Sequence, residues 1–197
     1  RPPGAVEELE FLKRCIKCGQ CLRVCPTNVL QPALLEAGIE GLWTPILNMR
    51  YGACEKNCAL CGQVCPTGAI ERLTVAQRNG EAPYPEGATP VVVKLGTSFF
   101  DRGRCLPWAM DTPCNVCEEV CPVSPKAIYS LETALAKRDG TALALKLPRV
   151  DPSLCIGCGA CEHACPVKDL PAIRVTPAGE TRSRGWGTRE RGLLLKG

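Results

Sequence analysis

The chain has 197 residues and a formal net charge of +4, and it contains sixteen cysteines but only three each of Phe, Trp and Tyr. So few large aromatic side chains make a poor core for this length, which indicates that bound groups fill part of the interior. No apolar run approaches the roughly 20 residues that span a bilayer, and no aromatic-interleaved basic stripe indicates nucleic-acid binding.

Four copies of one cysteine unit take up every cysteine of the chain. Each unit ends in a Cys-Pro pair. The two outer runs share a regular spacing, the second run has one extra residue, and the third has an eight-residue gap after its first cysteine. The runs are Cys15, Cys18, Cys21 and Cys25; Cys54, Cys58, Cys61 and Cys65; Cys105, Cys114, Cys117 and Cys121; and Cys155, Cys158, Cys161 and Cys165.

Short strands are expected on both sides of the runs. The valines at 91–93 and the segment that ends at Val150 predict strands leading into the third and fourth runs. An apolar residue after each run predicts the start of another strand. These residues are Leu30, Ile70, Ile128 and Ile173. Each unit is therefore expected to be a strand, a cysteine loop, one or two helical turns and a second strand.

The connectors between the units differ from one another. The segment 31–52 is compatible with a short helix, and 79–89 is a loop rich in Pro and Gly. Leu131 and Leu135 lie four residues apart, so the segment 130–139 is predicted to be a helix that Gly140 closes. The basic tail 176–197 is either a solvated end or a docking arm for a partner.

The spacing within the runs favours iron–sulfur clusters over zinc and disulfides. Three cysteines at i, i+3 and i+6 on a tight loop reach three different irons of a 4Fe–4S cluster, and the fourth ligand comes from another part of the chain. Gly19, Gly157 and Gly159 allow the backbone to approach inorganic sulfide. Structural zinc prefers separated cysteine pairs, and cysteines this close form strained disulfides. The sixteen cysteines therefore predict four 4Fe–4S clusters as cofactors, with a holoprotein charge of roughly −4.

Other chemistries find less support in the sequence. The spacing of Cys54, Cys58 and Cys61 also occurs in radical S-adenosylmethionine enzymes, but Cys65 follows as a fourth ligand. His163 is expected to be partly exposed without a ligand role, and Trp108 is expected to pack over a cluster. Four ligands for each of four clusters leave no open iron for substrate. We therefore predict an electron-transfer subunit with no catalytic residue and no direct small-molecule substrate, and a cluster-based enzyme or redox sensor is the alternative.

The chain resembles the NapG/MauM type of periplasmic polyferredoxin. The resemblance begins at the Arg-Pro-Pro-Gly-Ala lead at 1–5, continues through Phe11 into Cys15-Ile-Lys-Cys18-Gly-Gln-Cys21, and extends to about Val175. It implies an exported subunit at the extracytoplasmic face of a membrane, with a twin-arginine leader ahead of the first residue. It also implies other redox subunits as partners, above all a membrane-bound quinol-oxidising protein. A free multi-cluster ferredoxin, or a cytoplasmic one, is the alternative.

The resemblance further implies an α+β architecture of two ferredoxin-like modules with loop insertions. In four-run subunits of related reductases the pairing is nested, which would put 1–37 and 141–175 in an outer module and 38–140 in an inner one. Sequential pairing of neighbouring runs is the alternative. The nested ligand sets would be Cys15, Cys18, Cys21 and Cys165; Cys155, Cys158, Cys161 and Cys25; Cys54, Cys58, Cys61 and Cys121; and Cys105, Cys114, Cys117 and Cys65.

Overall fold

The computed structural model of the chain describes residues 1–81, 92–136, 142–167 and 169–182. Within these residues, short helices and short strands form a mixed α+β structure. The helices are α1 (Glu8–Arg14), α2 (Gln20–Val24), α3 (Leu60–Gln63), α4 (Val75–Arg78), α5 (Leu106–Ala109), α6 (Val116–Glu119) and α7 (Ala160–Ala164). The strands are β1 (Leu30–Pro32), β2 (Pro45–Leu47), β3 (Thr97–Phe100), β4 (Ile128–Ala136), β5 (Ala142–Val150) and β6 (Ile173–Thr176).

The described strands pair as three antiparallel two-stranded sheets, β1 with β2, β3 with β6, and β4 with β5. The strand starts predicted after the first, third and fourth runs are confirmed at Leu30, Ile128 and Ile173. After the second run, Ile70 forms only an isolated antiparallel bridge with Ala5. No helix of the described residues is long and apolar enough to span a membrane.

Helix α1 shows how local sequence specifies an element of the fold. It begins after Glu7, whose carboxylate accepts a hydrogen bond from the Leu9 amide. Acidic residues occupy its first turn and basic residues its last turn, which complements the helix dipole. Phe11 points away from this charged surface and is completely buried, so the helix supplies the large apolar side chain of the first core.

Two apolar cores divide the described chain, and each contains cysteines from two consecutive runs. Phe11, Val29 and Ile70 lie in the first core with Cys21 and Cys61 of runs one and two. The second core contains cysteines of runs three and four, and its buried members are Cys105, Cys117, Ile128, Cys161, Cys165, Ala172 and Ile173. The nested modules are therefore not found. The physical reason is that α2 packs against α3, and α6 packs against α7.

The segment 130–136, predicted as part of a helix, belongs instead to strand β4 of a long hairpin with β5. Leu131 is 45% exposed, so it does not mark the buried face of a helix. In the partner strand Leu145 and Leu147 are buried, while the residues on either side of Leu145 are exposed. This two-residue alternation is typical of a strand, and the pairing of the two strands outweighs the four-residue spacing of Leu131 and Leu135.

The remaining connectors also differ from expectation. The chain between β1 and β2 makes turns and no helix forms in 31–52. The strand predicted at 91–93 begins later, at Thr97 of β3, and the strand that ends at Val150 is confirmed. Residues 82–91, 137–141 and 183–197 lie outside the described residues, and they include most of the loop at 79–89, Gly140 and most of the basic tail.

Candidate iron–sulfur centres

Three cysteines of the first run and one of the second surround a partly open cavity, and we call these residues set I. Set I consists of Cys15, Cys18, Cys21 and Cys65. Gly19, with a φ of 72°, turns the chain into α2, and this helix carries Cys21 into the cavity. The buried Phe11 lines the inner side of the cavity. Ile16 and Trp43 line its outer side and are 63% and 57% exposed. Cys18 is itself exposed, so set I lies close to the protein surface.

Set II is the counterpart formed by the second run with the last cysteine of the first. Its members are Cys54, Cys58, Cys61 and Cys25, which line a partly open cavity. Helix α3 carries Cys61, and Gly62 beside it is buried against the segment that follows the run. A Cβ on Gly62 would collide with the carbonyl oxygen of Glu71. The glycine therefore permits the close packing that keeps Cys61 at the cavity.

The last two runs exchange their fourth cysteines in the same way. Set III consists of Cys155, Cys158, Cys161 and Cys121 around a partly open cavity. Set IV consists of Cys105, Cys114, Cys117 and Cys165. Its members are electrostatic neighbours: the pKa of Cys105 is raised to about 11, mainly by burial and in part by the Cys114 and Cys165 thiols.

These sets correct the nested pairing. Cys165 lies with the cysteines of run three and not with Cys15, and Cys65 lies with those of run one and not with Cys105. Cys25 and Cys121 likewise lie with their neighbouring runs instead of the distant ones. Local spacing is the same in either pairing, so the decision rests on which helical turns pack together. The structure thus brings together the sixteen cysteines in the sequential arrangement.

The Cys-Pro turns surround the fourth cysteine of a run with hydrogen-bond donors. Burial pushes the pKa of Cys25 upward, but hydrogen bonds from the backbone amides of Leu30, Thr27 and Val29 and from the Thr27 hydroxyl lower it overall. Cys65 has the same environment after Pro66, and the Ile70 amide donates to its sulfur at 3.4 Å. The turn after proline therefore stabilises a thiolate at this position.

The deeper cysteines have the opposite tendency. Burial is the main cause that raises the pKa of Cys61 and Cys161 to about 12, and nearby thiols add to it. Such thiols ionise at neutral pH only when positive charge comes close, as it does when iron binds. All sixteen cysteines are free thiols in the structure. No group of three or more His, Cys, Asp or Glu among the described residues is arranged for a single metal ion. Four sulfurs around each lined cavity fit the donor set of a 4Fe–4S cluster.

Two polar residues that the sequence analysis missed contact the cysteine sulfurs. Arg78, at the end of α4, donates from Nη2 to the sulfur of Cys54 at 3.1 Å. The Ser98 hydroxyl of β3 lies 3.4 Å from the sulfur of Cys161 and 3.5 Å from that of Cys155. Both residues are buried but distant in sequence from the cysteines that they contact, so no local spacing signals their role. Only the capping box from Thr74, which starts α4, was readable in the sequence.

Runs one and four have a left-handed backbone conformation at the same position of the run, but its surroundings differ. Lys17 has a φ of 58° and Gly157, at the equivalent position, has a φ of 66°. Lys17 is exposed. Gly157 instead packs on Gly96, and a Cβ there would lie 2.5 Å from the Gly96 nitrogen and 2.6 Å from its oxygen. Similarly, Gly159 packs on the side chain of Met49. Both glycines therefore permit close packing against other segments of the chain, and the approach to inorganic sulfide expected at them stays a prediction.

The loops of sets II and III meet directly. The Cys54 amide donates to the Cys158 carbonyl oxygen at 2.8 Å, which joins the second run to the fourth. Around this contact, Met49 packs against Gly159, and the Arg50 side chain donates to the carbonyl oxygen of Asp169 at 3.0 Å. The four sets are thus neighbours in the order I, II, III and IV.

The structure places His163 at the surface and Trp108 against the second core. The Nδ1 atom of His163 lies 3.3 Å from the Arg50 carbonyl oxygen. Trp108 packs on the second core beside Cys105 and donates from Nε1 to the carbonyl oxygen of Pro148 at 3.1 Å. The guanidinium of Arg102 lies 4.3 Å from the centre of its ring system.

Comparison with known proteins gives the same division of the chain. A family model described as a 4Fe-4S dicluster domain matches twice, over residues 14–69 and 112–168. The "Ferredoxin-type protein NapG" of Escherichia coli (strain K12) is 36% identical over 179 residues, which cover 90% of this chain and 70% of that protein. The "Methylamine utilization ferredoxin-type protein MauM" of Methylorubrum extorquens is 35% identical over 194 residues, covering 97% and 76%. MauM of Paracoccus denitrificans is 34% identical over 178 residues, covering 90% and 70%.

Proposed function

The chain belongs to the NapG and MauM group of ferredoxin-type proteins, and from this we propose that it is a four-cluster relay subunit of a larger redox complex. It is an electron-transfer protein that carries 4Fe–4S clusters. When bound, each such cluster takes up and releases a single electron. We propose the number of clusters that the protein holds, the residues that bind them and the source of the electrons.

We assign one cluster to each of the four cysteine sets. Three observations support the assignment: each set has four cysteines, sets I to III each surround one cavity, and the two matched dicluster segments divide the runs into the same two pairs, with Cys105 alone lying outside the matched residues. The amides that follow the Cys-Pro pairs would stabilise the fourth ligand thiolate of sets I and II.

The hydrogen bond from the Cys54 amide to the Cys158 carbonyl oxygen carries the relay proposal. It joins ligand loops of the two inner sets, so the row of four sets has no interruption between the modules. The outer ends of the row lie near the surface: Cys18 of set I is exposed, and Cys114 of set IV is half-buried beside exposed Pro113. An electron could therefore enter at one end of the protein and leave at the other.

The partners are inferred from the family. We propose a membrane-bound quinol-oxidising protein as the donor, another redox protein as the acceptor, and a position at the extracytoplasmic face of the membrane. A surface end rimmed by apolar and basic residues suits transient contact with another redox protein, and Ile16 and Lys17 supply these at set I.

Iron counting tests the ligand sets. Cys65→Ala should lower the iron content of the anaerobically purified protein from roughly sixteen to roughly twelve atoms per chain, because one set loses its fourth ligand. A double variant with Cys15→Ala should lose no further cluster, since both residues belong to set I. A double variant with Cys105→Ala, which belongs to set IV, should fall to roughly eight. Nested pairing gives the reverse pattern, which would refute the assignment.

Reduction by quinol tests the donor. The oxidised holoprotein is mixed with native membranes and a reduced quinol, and the visible absorbance of the clusters is followed anaerobically. We expect rapid bleaching with intact membranes and none with quinol alone or with heat-treated membranes. Absence of bleaching with intact membranes would leave a free multi-cluster ferredoxin and remove the membrane donor from the proposal.

A further inference from the structure

A buried arginine lies beside set II. Arg78 is 3% exposed even though its guanidinium is positively charged. Its Nη2 atom donates to the Cys54 sulfur at 3.1 Å, and its Nη1 atom donates to the carbonyl oxygens of Glu55 and Cys58. The side chain therefore holds the ligand loop of run two and brings a permanent positive charge to one of its sulfurs.

The fold supplies a dedicated element for this arginine. Helix α4 is one turn long and starts with a capping box, in which Thr74 and Gln77 each accept a hydrogen bond from the other's backbone amide. Arg78 is its last residue, and the Arg78 carbonyl oxygen accepts a hydrogen bond from Val93 at 2.9 Å. The backbone of Arg78 is thus fixed from both sides, which limits the positions available to its guanidinium.

Set II differs in this respect from the other sets. In the described part of the chain, the hydrogen bonds to the remaining cysteine sulfurs come from hydroxyls and backbone amides, such as those of Thr67, Ser98 and Ala172. These donors carry partial charges only. The charge on Arg78 also reaches Cys61, whose pKa it lowers against the larger effect of burial.

We infer that Arg78 raises the reduction potential of the cluster in set II above the value that the same cysteines alone would give it. This inference rests on the proposed ligands of set II. Reduction adds one electron, supplied by a redox partner, and so adds one negative charge to the set. A positive charge a few ångströms away in a buried site stabilises this reduced state more than the oxidised state. Net charge and hydrogen bonds to the sulfurs are the two factors involved, and Arg78 supplies both.

Redox titration of the holoprotein, monitored by electron paramagnetic resonance, tests this inference. Arg78→Gln removes the charge but retains an amide donor, and Arg78→Lys retains the charge. Arg72→Gln is the matched control, because Arg72 is an exposed arginine of the same module. The signal of set II is identified as the one that Cys58→Ser alters. Iron content is measured for every variant, so that loss of a cluster is distinguished from a change in its potential.

In Arg78→Gln we expect the reduced-to-oxidised ratio of the set II signal at a fixed potential to fall at least tenfold, equivalent to 59 mV for one electron. The change should be less than twofold in Arg78→Lys and in Arg72→Gln. A fully loaded Arg78→Gln protein with an unchanged set II potential would overturn the inference, while the iron count would leave the four-cluster proposal standing. If Arg78→Gln loses the cluster, Arg78→Lys decides: a loaded lysine variant with wild-type potential supports the role of charge, and a tenfold fall refutes it.

Discussion

Substitution of Gly157 by alanine tests the packing that joins the loop of set III to the rest of the chain. Gly157 has a φ of 66°, a conformation that costs an alanine about 1–2 kcal/mol. Its added Cβ would also lie 2.5 to 2.7 Å from three backbone atoms of Gly96, which cannot move aside as a side chain end can. Overpacking of this kind costs about 1–3 kcal/mol. We therefore expect a total destabilisation of about 2–5 kcal/mol.

Gly68→Ala is the matched control for this substitution. Gly68 has nearly the same φ, 68°, but nothing lies within 4 Å of its Cβ position, so the cost should be limited to the backbone term of about 1–2 kcal/mol. Bound clusters break two-state unfolding, so the suitable quantity is a rate. We propose to measure the anaerobic loss of cluster absorbance in guanidinium chloride for both variants.

The difference between the two variants isolates the contact with Gly96. An excess cost of about 1–3 kcal/mol corresponds to cluster loss that is roughly 5- to 150-fold faster in Gly157→Ala than in Gly68→Ala. Equal rates in the two variants would show that the backbone contact does not stabilise the loop, and would refute the role assigned to Gly157. A Gly157→Ala protein as stable as the wild type would also refute the backbone strain.

Three further predictions concern single groups. Lys17→Gly should stabilise the protein by up to about 1 kcal/mol and so slow the loss of cluster absorbance, because it relieves left-handed backbone strain at an exposed position. Faster loss would contradict this. Ser98→Ala should lower the potential of one cluster by about 20–60 mV in a redox titration, because one hydrogen bond of about 0.5–1.5 kcal/mol to Cys155 or Cys161 is lost. An unchanged potential would show that the hydroxyl does not act on set III. Chelator-driven iron loss should become more favourable as the pH falls from about 9 to about 6, because thiols such as Cys61, with a pKa raised to about 12, take up a proton on release; a pH-independent equilibrium would contradict this.

The cysteine runs and the strands beside them could be predicted from the sequence because both depend on local spacing. Strand β4 begins at Ile128, after the third run, and strand β5 ends at Val150, before the fourth run. The helix predicted from Leu131 and Leu135 was wrong because two leucines four residues apart fit one face of a helix, and the alternation that contradicts it lies in the partner strand. Burial of alternate residues becomes visible only when both strands are compared.

The pairing of the runs and the role of Arg78 could not be predicted for a different reason. Every run has the same local pattern, so spacing does not distinguish nested from sequential exchange, and the choice depends on which helices pack together. Arg78 is 24 residues from the cysteine that it contacts, and its neighbours in sequence are a helix cap and a turn. Long-range contacts of this kind leave no pattern in a single sequence.

The sequential exchange of cysteines also has a consequence for biosynthesis. All eight members of sets I and II have been synthesised once Cys65 is translated, so the first module can close before the second is complete. About 50 residues separate Cys15 from Cys65 in set I, whereas about 150 residues would separate Cys15 from Cys165 in the nested alternative. The longer loop would cost about 1 kcal/mol more entropy to close. It would also leave reactive thiols open for most of synthesis, so the observed pairing shortens the time in which a nascent chain is exposed to oxidation.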